Sequence, residues 1–365
     1  MTDSLCEKKV KVNLGERSYD VLIGHSMLNE AGARIKSIIS AERAFIVSNP
    51  IVLKLYGDKF CHNLKSAGFD LTVLEVPDGE RHKSLETARK LYDRLIEKNA
   101  TRFDVVIALG GGVIGDLSGF VAATYMRGMP FVQVPTTLLA QIDSSVGGKV
   151  AVNHPKAKNL IGCFYQPKLV LADVDVLKTL PERELKAGLA EAIKCGFLDS
   201  DDFISFLEEY VEEILAIKED ALIELVKRCC EFKARVVETD EKDLGRRAIL
   251  NYGHTIGHAI EAVTDYKKYL HGEAVAMGMV CAARIAHKLG LTEEDLVNRH
   301  RYILRRAGLP ISAPPFDPED LKKHLLLDKK KRGGKFTFVL LRGIGEPSIE
   351  SVSYDIIAES LKLCR

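Results

Sequence analysis

The chain has 365 residues, more than one ordinary hydrophobic core encloses, so two domains are expected. Its formal charge is +1, with 46% hydrophobic and 28% charged residues. That is a soluble globular composition, and it excludes nucleic-acid or membrane-surface binding driven by bulk electrostatics while leaving room for a small anion held by a few local cations. No stretch approaches the roughly 18 apolar residues of a membrane span. Residues 1–12 lack the apolar run of a signal peptide. The eight cysteines are scattered without a C-x-x-C pair, which predicts reduced thiols in a cytoplasmic protein.

In chain order, β-branched runs at 43–48, 71–76, 104–109, 131–134 and 169–172 predict strands, and helical periodicity marks 52–67 and 85–98. Strands alternating with helices imply an α/β domain with a largely parallel, Rossmann-like sheet. Asp78-Gly79-Glu80-Arg81-His82-Lys83 follows one strand and would pass for a solvated turn if read alone. Gly110, Gly112 and Gly115 form a G-x-G-x-x-G match between the strand ending at Leu109 and a helix from Asp116. Glycines there let backbone approach a pyrophosphate, and the helix start presents free N–H groups to it. The usual ribose-binding acid at the end of the next strand is missing, since that strand runs into Pro135-Thr136-Thr137. A dinucleotide must therefore find those contacts on other loops.

After Asp173 the texture becomes helical, with predicted helices at 182–197, 201–217, 220–237, 253–262, 273–289 and 293–307, a β-like return at 335–341 and a last helix near 354–363. Acidic turn residues and Pro181 put the boundary within 175–181, dividing the chain into a nucleotide-binding domain, 1–178, and a mainly helical domain, 179–365. Glu191 and Lys194 lie three apart on one helix face, as a ligand with a substrate anchor or as an ordinary ion pair. His254 and His258 lie four apart on one face, and His271 opens the next helix. Spacing alone favours His254 and His258 as a metal-ligand pair, although either one read singly is as easily a core or surface histidine. No H-E-x-x-H glutamate is present, which disfavours peptide hydrolysis.

Taken together, DGERHK, GGGVIGDLSGFVAATYMRG, PTTLLAQIDSSVGGKVAVNHPKAKNLIG, LPERELKAGLAEAIK, NYGHTIGHAIE and HGEAVAMG resemble the 3-dehydroquinate synthase family block by block, over roughly residues 43–341. The glycine turn alone is shared with glycerol and iron-dependent alcohol dehydrogenases; the last three blocks are far more specific. The resemblance implies metal ligands at Glu191, His254 and His271, moving His258 from metal to substrate. It implies NAD contacts at Asp78, Glu80, Lys83, Gly111, Gly112, Val113, Asp116, Thr136, Thr137, Lys158, Thr179 and Leu180. Catalytic positions fall on His258, Asp243, Lys149, Asp143 and Lys194, and substrate contacts on Arg127, Asn159, Lys233, Arg247, Asn251 and one lysine of Asp328-Lys329-Lys330, either Lys329 or, by preference, Lys330. The family pattern usually carries Glu where this chain has Asp243, one methylene shorter, which bears on proton-relay geometry.

The implied reaction converts a seven-carbon keto-acid phosphate to a carbocycle and inorganic phosphate, using NAD catalytically and a zinc or cobalt ion. A cytoplasmic homodimer with a small anionic sugar-phosphate substrate, and with no nucleic-acid or membrane partner, is expected. The rival readings are an inosose- or valiolone-forming cyclase, a metal-dependent polyol dehydrogenase that accumulates NADH, and a non-catalytic nucleotide-binding protein.

Overall fold

A computed structural model describes residues 7–315, 331–332 and 335–364. They divide into two compact units: Met1–Leu180 with Leu222–Lys242, and Pro181–Ala221 with Asp243–Arg365. The strands of the first unit are β1 (Lys8–Val12), β2 (Tyr19–Gly24), β3 (Arg43–Ser48), β4 (Asp70–Glu75), β5 (Val105–Gly110), β6 (Phe131–Pro135), β7 (Lys149–His154), β8 (Ala157–Phe164) and β9 (Leu169–Asp173). Seven of them form one sheet in the order β1-β2-β9-β6-β5-β3-β4, while β7 and β8 make a separate hairpin. Every pair in the large sheet is parallel except β1 with β2. The helices of this part are α1 (Ala31–Ile38), α2 (Pro50–Val52), α3 (Asp58–Ser66), α4 (Leu85–Glu97) and α5 (Gly112–Thr124).

The sequence explains why this sheet is covered on both faces. β5 reads VVIALG and is buried at every position, as a central parallel strand must be. α4 starts where the Ser84 hydroxyl accepts the Thr87 N–H, and it turns Ala88, Leu91 and Leu95 inward at helical spacing. Those three pack with Phe45, Val106, Leu117 and Phe131 in one core cluster. Each such large apolar side chain, once buried, contributes about 1.5–3 kcal/mol. Successive strands run outward from β3 to β4 but the other way from β5 to β6. The order therefore reverses between β3 and β5, the point at which open α/β sheets bind ligands beyond their carboxyl ends. The Ser48 hydroxyl, at the end of β3, donates to the Leu109 carbonyl at 2.7 Å and ties the two strand ends together there.

The later elements are α6 (Glu182–Asp199), α7 (Asp201–Leu215), α8 (Glu219–Thr239), α9 (His254–Val263), α10 (His271–Lys288) and α11 (Glu294–Arg306), then β10 (Lys331–Arg332), β11 (Lys335–Leu341), β12 (Pro347–Val352) and α12 (Tyr354–Lys362). Most of α8 belongs to the first unit. In the second, α10 is buried on nearly every side, through Ala274, Val275, Met277, Met279, Val280 and Ile285, and it packs against α6, α9, α11, α12 and β11. Strands β10, β11 and β12 form a small antiparallel sheet. Among the described residues no helix is long and apolar enough to cross a membrane.

Candidate active site

In the first unit the glycine turn joins β5 directly to α5. Gly110 ends the strand, Gly111 is the extended N-cap, and Gly112 opens the helix with no side chain capping it. The first N–H groups of α5 are thus presented at the carboxyl edge of the sheet, beside the strand-order reversal. A Cβ on Gly111 would lie 3.1 Å from Thr137 Cγ2, and one on Gly112 3.1 Å from Ser144 Oγ, so side chains at these two positions would fill the cradle. Thr136 is held to the same turn by its N–H donating to the Gly110 carbonyl at 3.0 Å.

The DGERHK loop is drawn to this place by its own polar groups. Asn49 Nδ2 donates to Asp78 Oδ1 at 2.8 Å, and Asn153 Nδ2 donates to Glu80 Oε1 at 2.7 Å. The Lys83 ammonium, buried, pairs with Asp116 of α5 and donates to Asn159 Oδ1 at 2.6 Å. Burial lifts the Asp116 carboxyl above its ordinary range, against the pull of Lys83. Asn153 Oδ1 accepts the Asn159 N–H at 3.0 Å, so Glu80, Lys83, Asp116 and Asn159 share one network, with Asp78 held next to it by Asn49. Thr179 bonds the Tyr56 hydroxyl, Leu180 is half-buried, and Lys158 is exposed on β8.

In the second unit three side chains converge from three helices. His254 Nε2 lies 3.6 Å and His271 Nε2 3.5 Å from the same oxygen, Glu191 Oε1, and the three donor atoms fall within 4.8 Å of one another. Glu191 Oε2 meets Lys194 Nζ at 2.5 Å, both side chains being buried in α6. Burial alone would raise the Glu191 carboxyl; the Lys194 ammonium and the two imidazoles outweigh it and hold it well below the usual carboxylate range. Each imidazole is fixed from behind: His254 Nδ1 is 3.0 Å from the Tyr252 carbonyl, and His271 Nδ1 is 3.2 Å from Glu261 Oε2. One carboxylate and two Nε2 donors with anchored Nδ1 atoms are the donor set of a catalytic zinc-type site, so the residues fit such an ion.

Close backbone contact is what brings the three helices together. Gly253, at φ +77°, allows the chain to turn into α9. A Cβ on Gly278 would lie 2.0 Å from the Gly253 carbonyl oxygen, so α9 and α10 touch through backbone. Gly272, beside His271, would put a Cβ 1.9 Å from the Ala187 carbonyl oxygen of α6. Its neighbour Glu273 accepts the Leu270 N–H at 2.9 Å and pairs with Arg183 at 2.7 Å, pinning the start of α10 to α6. Tyr252 is buried, and its hydroxyl meets His300 Nε2 at 2.9 Å, with His300 stacked on Phe197.

His258, which spacing favoured as a ligand, is exposed one turn beyond His254, with ring centroids 5.3 Å apart; its donor atom groups with Glu261 and His271 rather than with Glu191. Lys233, on α8, meets Asp143 Oδ1 at 2.5 Å within the first unit. Arg247 is buried, and Asn251 closes the same turn. Lys149 and Arg127 are exposed, and Arg127 adopts φ 62° directly before Gly128 at φ 125°. Asp243 also sits in the left-handed region, at φ 53°, which a short Asp tolerates better than a longer acid. Lys330 lies outside the described residues. Glu261, Tyr252 and His300 escaped the sequence reading; for Glu261 the available signal was its place seven residues after His254, on the same helix face.

Comparison with known proteins accords with this geometry. Family models described as 3-dehydroquinate synthase N-terminal and C-terminal match residues 73–187 and 188–331. A 3-dehydroquinate synthase from Pelotomaculum thermopropionicum is 50% identical over 94% of this chain and 92% of its own, and one from Vibrio atlanticus is 47% identical over 98% and 99%. Among solved structures, 2-deoxy-scyllo-inosose synthase complexed with carbaglucose-6-phosphate, NAD+ and Co2+ superposes with a TM-score of 0.91 at 28% identity, covering 98% of this chain and all of that one. A 2-epi-5-epi-valiolone synthase from Streptomyces hygroscopicus with NAD+ and Zn2+ bound gives 0.88, also at 28% identity, over 96% of this chain and 98% of its own. Matched by both family models and about half identical to named members over nearly its whole length, the chain belongs to the 3-dehydroquinate synthase family.

Proposed function

We propose that the chain converts 3-deoxy-D-arabino-heptulosonate 7-phosphate to 3-dehydroquinate and inorganic phosphate. The observation that carries this is the convergence of Glu191, His254 and His271, with both imidazole Nε2 atoms aimed at one carboxylate oxygen, in a member of this family. The functional halves we propose are 1–178 for NAD and 179–365 for the ion, with the Lys233 helix as the exception that serves the first unit.

Glu191, His254 and His271 would hold a zinc or cobalt ion, whose contribution is Lewis acidity toward a substrate hydroxyl. Gly111, Gly112, Val113, Asp78, Glu80, Lys83 and Asp116, with Thr136, Thr137, Lys158, Thr179 and Leu180 completing the set, would hold NAD, which would supply reversible hydride transfer to a reaction of oxidation, β-elimination of phosphate, re-reduction, ring opening and aldol closure with no net redox change. The protein's own part is binding and proton handling. Arg127, Lys149 and Asn159 suit the phosphate, and Lys233 and Arg247 the carboxylate, through charge-assisted hydrogen bonds. Lys194 and Lys233 already neutralise Glu191 and Asp143, so an arriving anion would recruit cations that are held in place beforehand. Asn251 would orient a substrate hydroxyl, while His258 and Asp243 would move protons. We further propose a cytoplasmic homodimer, which sedimentation at working concentration would test.

The deciding assay offers the purified protein the keto-acid phosphate, glucose 6-phosphate and sedoheptulose 7-phosphate side by side. Phosphate release from the first alone, requiring NAD without build-up of NADH, is expected. Faster release from either sugar phosphate would transfer the chain to another cyclase activity.

A further inference from the structure

Among the described residues, Glu261 is the one buried acid near the three converging side chains that neither the sequence reading nor the proposed reaction uses. It lies on α9 seven residues after His254, is 8% exposed, and places Oε2 3.2 Å from Nδ1 of His271. A carboxylate so far out of water needs a fixed polar partner, and a ring nitrogen of a metal-binding histidine is such a partner. The two histidines differ in this respect. His254 leans on a backbone carbonyl that no substitution can remove, whereas His271, whose side chain is 35% exposed, leans on a side chain.

We infer that Glu261 is a positioning residue: by accepting the Nδ1–H of His271 it selects the tautomer whose bare Nε2 faces Glu191. An imidazole free to choose would spend much of its time with the proton on Nε2, where no ion can bind. The inference rests on the reading of Glu191, His254 and His271 as ligands. Glu261, His258 and His271 also group closely enough to hold an ion themselves, and the test separates the two roles.

The experiment measures Co2+ affinity of metal-stripped protein by competition with a chromogenic chelator, for wild type, Glu261→Gln, Glu261→Ala and His271→Ala. Long-range imidazole 15N spectra of the stripped proteins, recorded at a pH high enough that the His271 ring, flanked by Glu191 and Glu261, carries a single proton, accompany it. Wild type should bind one ion, and Glu261→Ala should bind it about 10- to 100-fold more weakly. Glu261→Gln, whose amide oxygen still accepts the Nδ1–H, should lose less. The His271 signals should show Nδ1–H in wild type and Glu261→Gln but a mixture in Glu261→Ala, a change that a purely structural role would not produce. Should Glu261→Ala fail to fold, the isosteric Gln variant still decides through its tautomer signals. The inference is overturned if His271→Ala loses the ion while both Glu261 variants bind it like wild type, or if wild type binds two ions and Glu261→Gln binds one. Wild type binding no ion at all would instead sink the ligand reading itself.

Discussion

The same residue type does opposite work in the two units. In the turn after β5, Gly111 and Gly112 keep a space open: a Cβ there would meet only the tips of Thr137 and Ser144, each at 3.1 Å. Between the helices of the second unit, Gly272 and Gly278 close space, since a Cβ would lie 1.9 Å and 2.0 Å from backbone carbonyl oxygens that cannot swing aside. A glycine in the first role is needed when a ligand arrives. In the second it is needed for the fold that brings His271 to Glu191. Substitutions in the two places should therefore fail in different ways, and the contrast can be broken experimentally.

The largest effect is expected for Gly272→Ala, which forces α10 away from α6 beside a candidate ligand. Thermal unfolding should report a loss toward the upper end of the 1–3 kcal/mol or so that overpacking costs, and tight ion binding should disappear with it. A variant that keeps both would show that the helices have slack the structure does not suggest. Gly112→Val comes next. NAD titration should show at least about a 100-fold loss, the equivalent of about 2.7 kcal/mol, with melting temperature and metal content unchanged. Equal damage to stability would erase the distinction drawn above.

Arg247 refines the comparison, because it is a buried cation in the same unit as the closed helices. Arg247→Lys keeps the charge but loses the two-pronged guanidinium. A charged hydrogen bond is typically worth about 1.5–3 kcal/mol, so kcat/KM for the keto-acid phosphate should fall about 10- to 150-fold while metal and NAD are retained. Undiminished kcat/KM would remove Arg247 from the substrate set.

The smallest effect concerns His300. Burial pushes its pKa down from 6.5 to about 4, opposed by its hydrogen bond to the Leu296 carbonyl, with Arg299 adding to the fall. Between those values the unfolded chain binds a proton that the folded chain does not, so stability must decline as pH drops from 6.5 toward 4. From pH 6 to 5 that single site contributes at most about 1.4 kcal/mol. Denaturant midpoints for wild type and His300→Phe should converge over that interval; parallel curves would mean that the buried ring does not titrate as described.

How much of this was legible in the sequence depended on whether the signal was contiguous. The turn from β5 into α5 could be read directly, because an apolar strand, three glycines and a helix follow one another within a few residues. By contrast β1, KKVKV, alternates lysine with valine at a sheet edge and offers no apolar run. The β7–β8 hairpin is exposed along most of its second strand, where Lys158, Asn159 and Gly162 interrupt the apolar residues and leave no clean strand alternation. The ligand-like cluster joins positions 191, 254 and 271 on three helices, a relation that helical periodicity within α9 could not express. Spacing within one helix favoured His258 because it sees only neighbours, whereas the approach of α10 through Gly272 and Gly278 is a property of the packed unit. Family resemblance supplied that relation before geometry did.

The path of α8 has a consequence for how the protein is made. Residues Leu222–Lys242 complete the first unit, burying Leu225, Cys229, Cys230 and Phe232, although the first stretch of the second unit, Pro181–Ala221, precedes them in the chain. A ribosome must therefore release Lys242 before the earlier unit can close its core, so that 1–180 emerges as a sheet still lacking one of its helices. Nascent chains arrested just before and just after that point should differ sharply in resistance to protease. For the same reason a gene cut after residue 180 would yield a first fragment that lacks Leu222–Lys242 and so does not encode a whole first unit.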